Sequence, residues 1–216
     1  MTGTDPRGRD APRDPDDQPT FFAVALRQRA CRQFADGPVD DALVFRCLEA
    51  ATHAPSAENL QPWVFVVVRD DGRRAAIADL TRRVWREAGR PNSEGRLEPG
   101  LLREVDAGAE TGLAGAPVLV VVCGDSTVAH RSTLPSSVFP ATQNLLLAAG
   151  ALGLGSAMTT LATLAATDLS DALGLPDHVH PMAVVPLGWP ARPLGPPRRV
   201  AVDRVAHRDR YGTVWD

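Results

Sequence analysis

The sequence is poor in cysteine and in aromatic side chains. Only 5% of its 216 residues are aromatic, and its three cysteines, Cys31, Cys47 and Cys123, form neither a CxxC pair nor a metal-ligand spacing. An odd number of widely spaced cysteines disfavours a disulfide scaffold and favours buried thiols in a reducing compartment. We therefore expect a cytoplasmic protein without a metal site.

Long apolar runs and blocks of like charge are also missing. The formal net charge is -3, and acidic and basic residues are mixed along the chain, so nothing indicates a nucleic-acid partner. The longest apolar stretch, residues 138–154, is interrupted by Pro140, Gln143 and Asn144. Such a stretch is typical of a buried helix rather than a membrane span. The N-terminus lacks a basic segment followed by an apolar run, so we expect no secretory signal and no membrane partner.

The remaining pattern predicts a leader and one domain. Residues 1–18 are mainly Asp, Arg, Pro and Gly, and a segment so poor in apolar side chains cannot offset its ordering entropy, so we expect it to be disordered. Residues 19–216 are long enough to bury one good core. Hydrophobic periodicity and turn residues predict helices at residues 21–33, 41–54, 74–88, 136–152 and 167–173 and strands at 63–68, 117–123, near 158 and 182–187. Residues 89–100 are expected to form either a mobile loop that covers the site or a variable surface loop.

This order of elements places helices on both faces of one sheet. The first strand, residues 63–68, is an uninterrupted apolar run, which is typical of an interior strand. Thr20 and Asp40 are expected to cap the first two helices.

Two arginines stand close together at the end of the first predicted helix. Arg29 and Arg32, three residues apart, would lie on one helical face, where their forked donors suit a phosphate or another planar anion. Taken alone this spacing is a weak signal, because most surface arginines are simply solvated.

A polar turn lies between the second helix and the first strand. Residues 54–63 are Ala-Pro-Ser-Ala-Glu-Asn-Leu-Gln-Pro-Trp, which places amide groups at the start of the sheet, where ligand sites often form. Asn59 can both donate and accept hydrogen bonds, as recognition of a heterocycle edge requires. The alternative is an Asx-type turn whose side chains satisfy its own backbone.

Together these segments resemble the FMN-dependent nitroreductase family. The blocks that carry the resemblance, in the order of the family, are residues 29–34, 50–63, 143–149, 152–156, 187–190 and 196–199. The APSxENxQPW block is the most specific of them. The resemblance implies an α+β fold, a three-layer α/β/α sandwich with a mixed central sheet. It also implies an intertwined homodimer with two flavins at the interface and a C-terminal extension swapped onto the partner. Our own hypothesis is that residues 134–144 of the partner subunit also border the site.

The resemblance also implies roles for particular residues. Arg32 matches a cation at the pyrimidine edge of the flavin, where it would stabilise the reduced ring, and no side-chain acid or base is needed. Backbone amides of residues 159–161 match those that approach flavin N5, and Arg198 and Arg199 match basic residues on the phosphate. The residues expected to bind FMN are Arg29, Ala30, Arg32, Pro55, Ser56, Ala57, Asn59, Gln143, Thr159, Thr160, Leu161, Arg198 and Arg199.

The sequence also departs from the family pattern. Many members have Arg-Arg-Ser where this chain has Gln28-Arg29-Ala30, so an arginine and a hydroxyl are lost from the expected phosphate site. The segment after Met158 lacks the glycine often found there. Residues 85–112 contain no tyrosine or lysine, which disfavours a deiodinase-like lid for a zwitterionic substrate.

The function implied is an FMN-dependent NAD(P)H oxidoreductase that reduces small electron-poor aromatic acceptors, such as nitroaromatics and quinones, by ping-pong hydride transfer. NADH or NADPH is the expected co-substrate. Two alternatives stay open. One is a flavin-dependent oxidase, dehydrogenase or dehalogenase of a biosynthetic pathway, and the other is a flavin-binding protein without turnover.

Overall fold

The computed structural model describes residues 20–215, so the predicted leader at residues 1–18 lies outside the described part. The helices are α1 (Phe21–Arg27), α2 (Asp41–Thr52), α3 (Asp71–Val84), α4 (Arg90–Ser93), α5 (Pro99–Ala107), α6 (Leu134–Ala151) and α7 (Ala166–Leu173). The strands are β1 (Trp63–Val68), β2 (Val118–Asp125), β3 (Gly155–Ser156) and β4 (Val179–Gly188). Two π-helical turns, Trp85–Gly89 and Gly108–Gly112, extend α3 and α5.

The four strands form one sheet in the order β1-β2-β4-β3. All three neighbouring pairs are antiparallel, so the expected mixed sheet is wrong for the described residues. The expected interior position of β1 is also wrong, because β1 lies at the edge. Trp63 and Phe65 pack on one core and Val64 and Val66 on the other, which explains why its sequence shows no polar face.

The sheet separates two apolar cores. Alternate side chains of β2 enter each core, because successive residues of a strand point to opposite faces. Val118, Val120 and Val122 pack with α2 and α6, whereas Leu119, Val121 and Cys123 pack with α3 and α7. The prediction of helices on both faces is therefore confirmed.

Helix α1 is shorter than predicted. Thr20 caps it as expected, its hydroxyl accepting from the N–H of Ala23 at 3.4 Å, but the helix ends at Arg27 instead of residue 33. The next residues are extended because they pair with distant segments: Cys31 N–H donates to Ser156 O and Ala35 N–H donates to Trp189 O, both at 2.8 Å. Arg29 and Arg32 therefore do not share a helical face.

The predicted loop at residues 89–100 is instead the bend of a helical hairpin. We call residues 85–112 the hairpin. Pro99 stands in the first turn of α5, where the missing N–H costs nothing, whereas Pro91 follows a helical Gly89 and so removes one backbone donor from a continuous helix. The two arms are joined by polar contacts: Arg86 binds Glu110, Arg90 Nε lies 3.1 Å from Asp106 Oδ1, and Trp85 Nε1 donates to Asp106 Oδ1 at 2.8 Å.

Candidate functional site

Arg32 lies in the extended segment after α1 and borders two adjoining pockets. Its side chain is half-buried, and among residues 20–215 its guanidinium makes no hydrogen bond or ion pair. Burial lowers the pKa of Arg32, nearby Glu104 raises it, and Arg29 lowers it further. Arginine stays charged in proteins, so Arg32 presents an unpaired cation to both pockets.

The larger pocket has a volume of about 280 Å³ and is mostly apolar. The hairpin closes one side and the segment after β3 closes the other. Its apolar walls come from Phe34, Trp85, Val105, Leu113, Met158 and Pro186. Thr159, Thr160 and Leu161 also line it, so the structure brings three of the predicted site residues together with Arg32.

The backbone amides of residues 159–161 are not equivalent. Thr159 N–H donates to Val184 O at 2.9 Å, and Leu161 N–H donates to Thr159 Oγ1 at 3.3 Å. Thr160 N–H has no such partner within residues 20–215. Of the three predicted amides, that of Thr160 alone is available to a ligand.

The smaller pocket, about 50 Å³, is basic. Arg29, Ala30, Arg32 and Arg192 line it together with Glu104. The chain contains no lysine, and every basic side chain that lines this pocket is an arginine with a forked donor set. Sequence reasoning missed Arg192, although it is the first basic residue after the predicted C-terminal block at 187–190.

Arg29 links this pocket to the C-terminal tail. Its Nη1 donates to Gly195 O at 3.2 Å, and its Nη2 lies 3.6 Å from Glu104 Oε2. Gly195 precedes Arg198 and Arg199 by three and four residues. Neither of those arginines lines the pockets around Arg32, and Arg199 Nη1 donates instead to Arg198 O at 2.9 Å.

The polar turn after α2 is conformationally strained. Glu58, Asn59 and Gln61 have φ values of 53°, 57° and 53°, which non-glycine residues rarely adopt. Hydrogen bonds hold the turn: Ala57 N–H donates to Ser137 Oγ at 3.1 Å, and Gln61 N–H donates to Ser56 Oγ at 3.0 Å. Backbone strain of this kind concentrates at functional sites.

The side chains of this turn are partly free. Pro55 and Asn59 are exposed, while Ser56 and Ala57 are half-buried. Asn59 Oδ1 accepts from the side-chain Nε2 of Gln61 at 3.3 Å, whereas it is the Ser56 hydroxyl that accepts a backbone N–H of the turn. The alternative of a turn whose side chains satisfy its own backbone therefore describes Ser56 and not Asn59. Gln143 is exposed on α6, and the next residue, Asn144, joins α6 to α2 by donating to Ala50 O at 3.1 Å.

Apart from Gln143, Arg198 and Arg199, the predicted site residues form two groups at opposite ends of β2. The turn at 55–59 leads into Trp63, which pairs with Gly124 near the end of that strand. Arg32 packs on Gly112, which lies shortly before the strand begins at Val118. Eight strand residues span roughly 24 Å. A single chain therefore does not bring both groups to one ligand.

No group of three or more His, Cys, Asp or Glu side chains within residues 20–215 could hold a metal ion. In the same residues, no helix combines the length and the apolar character needed to cross a bilayer.

Known proteins share this architecture. A family model described as the nitroreductase family matches residues 25–189. A 5,6-dimethylbenzimidazole synthase from Rhodospirillum rubrum is 34% identical over 186 residues, covering 82% of this chain and 85% of the relative. An NADH dehydrogenase from Thermus thermophilus is 32% identical over 200 residues, covering 84% and 92%. The crystal structure of iodotyrosine deiodinase bound to FMN and 3-iodo-L-tyrosine aligns with a TM-score of 0.73 at 26% identity, over 90% of this chain and 100% of that chain. The predicted α+β sandwich is thereby confirmed.

Proposed function

The chain belongs to the nitroreductase family, and from that membership we propose that it is an FMN-dependent NAD(P)H oxidoreductase that reduces electron-poor acceptors such as nitroaromatics and quinones. The observation that carries the proposal is the position of Arg32, whose side chain forms the common wall of an apolar pocket and a basic pocket. A flavin mononucleotide has the matching chemistry, because it joins an apolar ring system to a phosphate.

The donor set fits FMN. Arg32 can face the ring's pyrimidine edge, and the free Thr160 N–H can meet a ring nitrogen. Arg29 and Arg192 would supply positive charge for the phosphate, and Arg192 would compensate for the arginine that many family members have where this chain has Gln28. Relatives support the cofactor as well, since the deiodinase structure contains FMN.

The chain's own residues would bind and orient the cofactor and exclude water from it. FMN, when bound, would supply two-electron redox chemistry between NADH or NADPH and the acceptor. Arg32 would stabilise negative charge on the reduced ring, and it does so most effectively in a pocket of low polarity. Trp85, Val105 and Leu113 provide that environment by keeping water away from one side of the pocket.

The proposal includes a homodimer. In each chain the 55–59 turn lies at one end of β2 and the Arg32 pockets lie at the other. A second copy could therefore supply its 55–59 turn to the Arg32 pockets of the first. The C-terminal tail supports this arrangement, because it exposes apolar side chains that a partner could cover. Val200, Val202, Val205 and Tyr211 are 67%, 74%, 65% and 92% exposed in the single chain.

Flavin binding and reduction test the proposal directly. The purified protein is expected to be yellow, or to quench FMN fluorescence stoichiometrically when FMN is added to the apoprotein. Mixing with NADH or NADPH in a stopped-flow instrument should bleach the flavin, and a nitroaromatic or quinone should restore its absorbance. A bound flavin that never bleaches would support the flavin-binding alternative instead. A chain that ignores FMN would overturn the proposal.

Substitution at Arg32 sharpens the test. Arg32→Ala should weaken FMN binding by on the order of tenfold or more, because a charge-assisted hydrogen bond is lost. Arg73→Ala is the matched control, since Arg73 is an exposed arginine on α3 and its side chain is 61% accessible. Equal FMN affinity in the two variants would contradict the assignment of Arg32 to the FMN site.

A second candidate is a flavin-using biosynthetic enzyme. The 34% identity to a 5,6-dimethylbenzimidazole synthase favours it. Chromatography of the reduced flavoprotein after exposure to air would reveal 5,6-dimethylbenzimidazole if that reaction occurs. Rapid multiple turnover with a nitroaromatic and no such product would support the reductase.

A further inference from the structure

The π-helical turn Gly108–Gly112 lies directly against Arg32. A β-carbon built on Gly108 would lie 2.5 Å from Arg32 Cδ and 3.0 Å from its Cβ and Cγ. One built on Gly112 would overlap the carbonyl oxygen of Arg32. The two glycines are four residues apart and so present one face, free of side chains, to Arg32: Gly108 faces its stem and Gly112 faces its backbone.

The backbone does not explain the glycine at 108. Its φ and ψ are -63° and -42°, which is ordinary right-handed helix that any residue adopts. Glycine lowers helix stability compared with alanine at such a position. The space that Arg32 occupies is therefore the physical reason why a side chain does not fit there.

The pairing of Cys31 and Ala35 with distant segments fixes the backbone on either side of Arg32, and contact with these glycines limits where its side chain can lie. Its guanidinium makes no hydrogen bond or ion pair within residues 20–215, so no polar partner there fixes its direction. The stem packs on Gly108, and the backbone of Arg32 packs on Gly112. Beyond this contact the guanidinium reaches the wall between the apolar and the basic pocket.

We propose that Gly108 and Gly112 are positioning residues that form a seat for Arg32 and aim its guanidinium into the cofactor pocket. This inference rests on the proposed function and extends it. The hairpin then has a role besides covering the pocket, because its second arm determines where the essential positive charge is placed. Gly108 acts through Arg32 and need not touch the cofactor itself.

A double-mutant cycle tests the seat. The FMN dissociation constant and the flavin midpoint potential are measured for wild type, Gly108→Ala, Arg32→Ala and the double variant. Gly108→Ala should weaken FMN binding on the order of tenfold and lower the midpoint potential, since the cation moves away from the reduced ring. In the Arg32→Ala background the same substitution should change neither quantity appreciably.

A matched control separates positioning from folding. Gly100→Ala lies in the first turn of α5, where a β-carbon meets only the flexible end of Arg103 at 4.0 Å. It should leave FMN affinity and potential unchanged, and the melting temperatures of both apoprotein variants should stay near that of wild type. Equal effects of Gly108→Ala in the presence and absence of the Arg32 side chain would overturn the proposal.

The crystal structure of apo Gly108→Ala gives a readout that needs no cofactor. Displacement of the Arg32 stem relative to apo Gly100→Ala is expected, and an unmoved Arg32 would contradict the seat. If wild type fails to bind FMN, the proposed function fails, whereas the crystallographic comparison still decides the positioning role.

Discussion

Trp85 and Asp106 join the two arms of the hairpin through a buried indole. Trp85 is 2% exposed, and its Nε1 donates to Asp106 Oδ1 at 2.8 Å, the same oxygen that lies 3.1 Å from Arg90 Nε. The indole also lines the larger pocket, so one side chain both closes the hairpin and shapes the proposed cofactor site.

Removing the indole donor should therefore loosen the hairpin. Trp85→Phe is expected to lower the free energy of unfolding by about 1–3 kcal/mol, because a hydrogen bond to a carboxylate is lost and a gap remains. Asp106→Asn keeps an oxygen acceptor for the indole and should cost less. Urea unfolding followed by circular dichroism measures both changes, and a Trp85→Phe protein as stable as wild type would contradict the role assigned to this bond.

Glu110 should make the stability of the hairpin depend on pH. The hydrogen bond from Arg86 lowers the pKa of Glu110 from its ordinary value of 4.5, and burial partly opposes this. Because the folded-state pKa lies below the unfolded value, the stabilisation is fully present above about pH 4.5 and is lost as pH falls through the folded-state pKa. The stability difference between wild type and Glu110→Gln should thus shrink on acidification.

The control for this effect is Glu87→Gln, on the same hairpin but without an ion pair within residues 20–215. Its stability difference from wild type should stay flat with pH relative to that of Glu110→Gln. Since Glu110 and Arg86 are partly exposed, high salt should also reduce the Glu110 effect. A Glu110→Gln difference that grows toward low pH would contradict the ion-pair explanation.

The three thiols should resist modification in the folded protein. Burial raises the pKa of Cys47 and Cys123 to about 12 and also raises the pKa of Cys31. Thiolate is the reactive form, so little of it is present at pH 8. An aromatic disulfide reagent should label none of the three on the timescale on which it labels all three in urea, and fast native labelling of Cys47 or Cys123 would show that the core opens.

The exposed tail should be essential to the proposed dimer. Val202→Asp is expected to shift the protein toward monomer in sedimentation velocity, because a charge would be placed where a partner covers an apolar side chain. The neighbouring Asp203→Asn substitution is the control and should leave the dimer intact. A wild-type chain that sediments as a monomer at high concentration would contradict the dimer itself.

Local patterning was sufficient for some elements of this fold. β1 has the predicted bounds, residues 63–68, and α6 begins within two residues of its predicted start, because apolar periodicity and flanking turn residues act locally. The end of α1 was not predictable in this way. It depends on Cys31 and Ala35 pairing with Ser156 and Trp189, which are more than 120 residues away in the chain.

The site was predictable as a set of residues but not as an arrangement. The resemblance to a family singled out Arg32, the 55–59 turn and residues 159–161. It could not reveal that the length of β2 separates the turn from Arg32, because the distance between two segments in the folded sheet depends on strand pairing and not on the local sequence of either segment. The proposed role of Gly108 could not be predicted from the sequence either. Glycine within a helix is ordinarily neutral or unfavourable, and the reason for it here is the packing of Arg32 against it, which only the structure shows.

The two π-helical turns constrain how this chain can change in length. Each holds one residue more than an α-helical turn. Leu113 N–H, for example, donates to the carbonyl oxygen of Gly108, five residues earlier, instead of to that of the residue four earlier. Deleting one residue in either turn would restore regular helix, but it would rotate the helical residues on one side of the deletion by about 100° relative to those on the other. The contact between Arg90 and Asp106, which joins the two arms, would then be lost. Insertions and deletions in descendants of this gene should therefore accumulate at the hairpin tip, residues 94–98, and spare the turns.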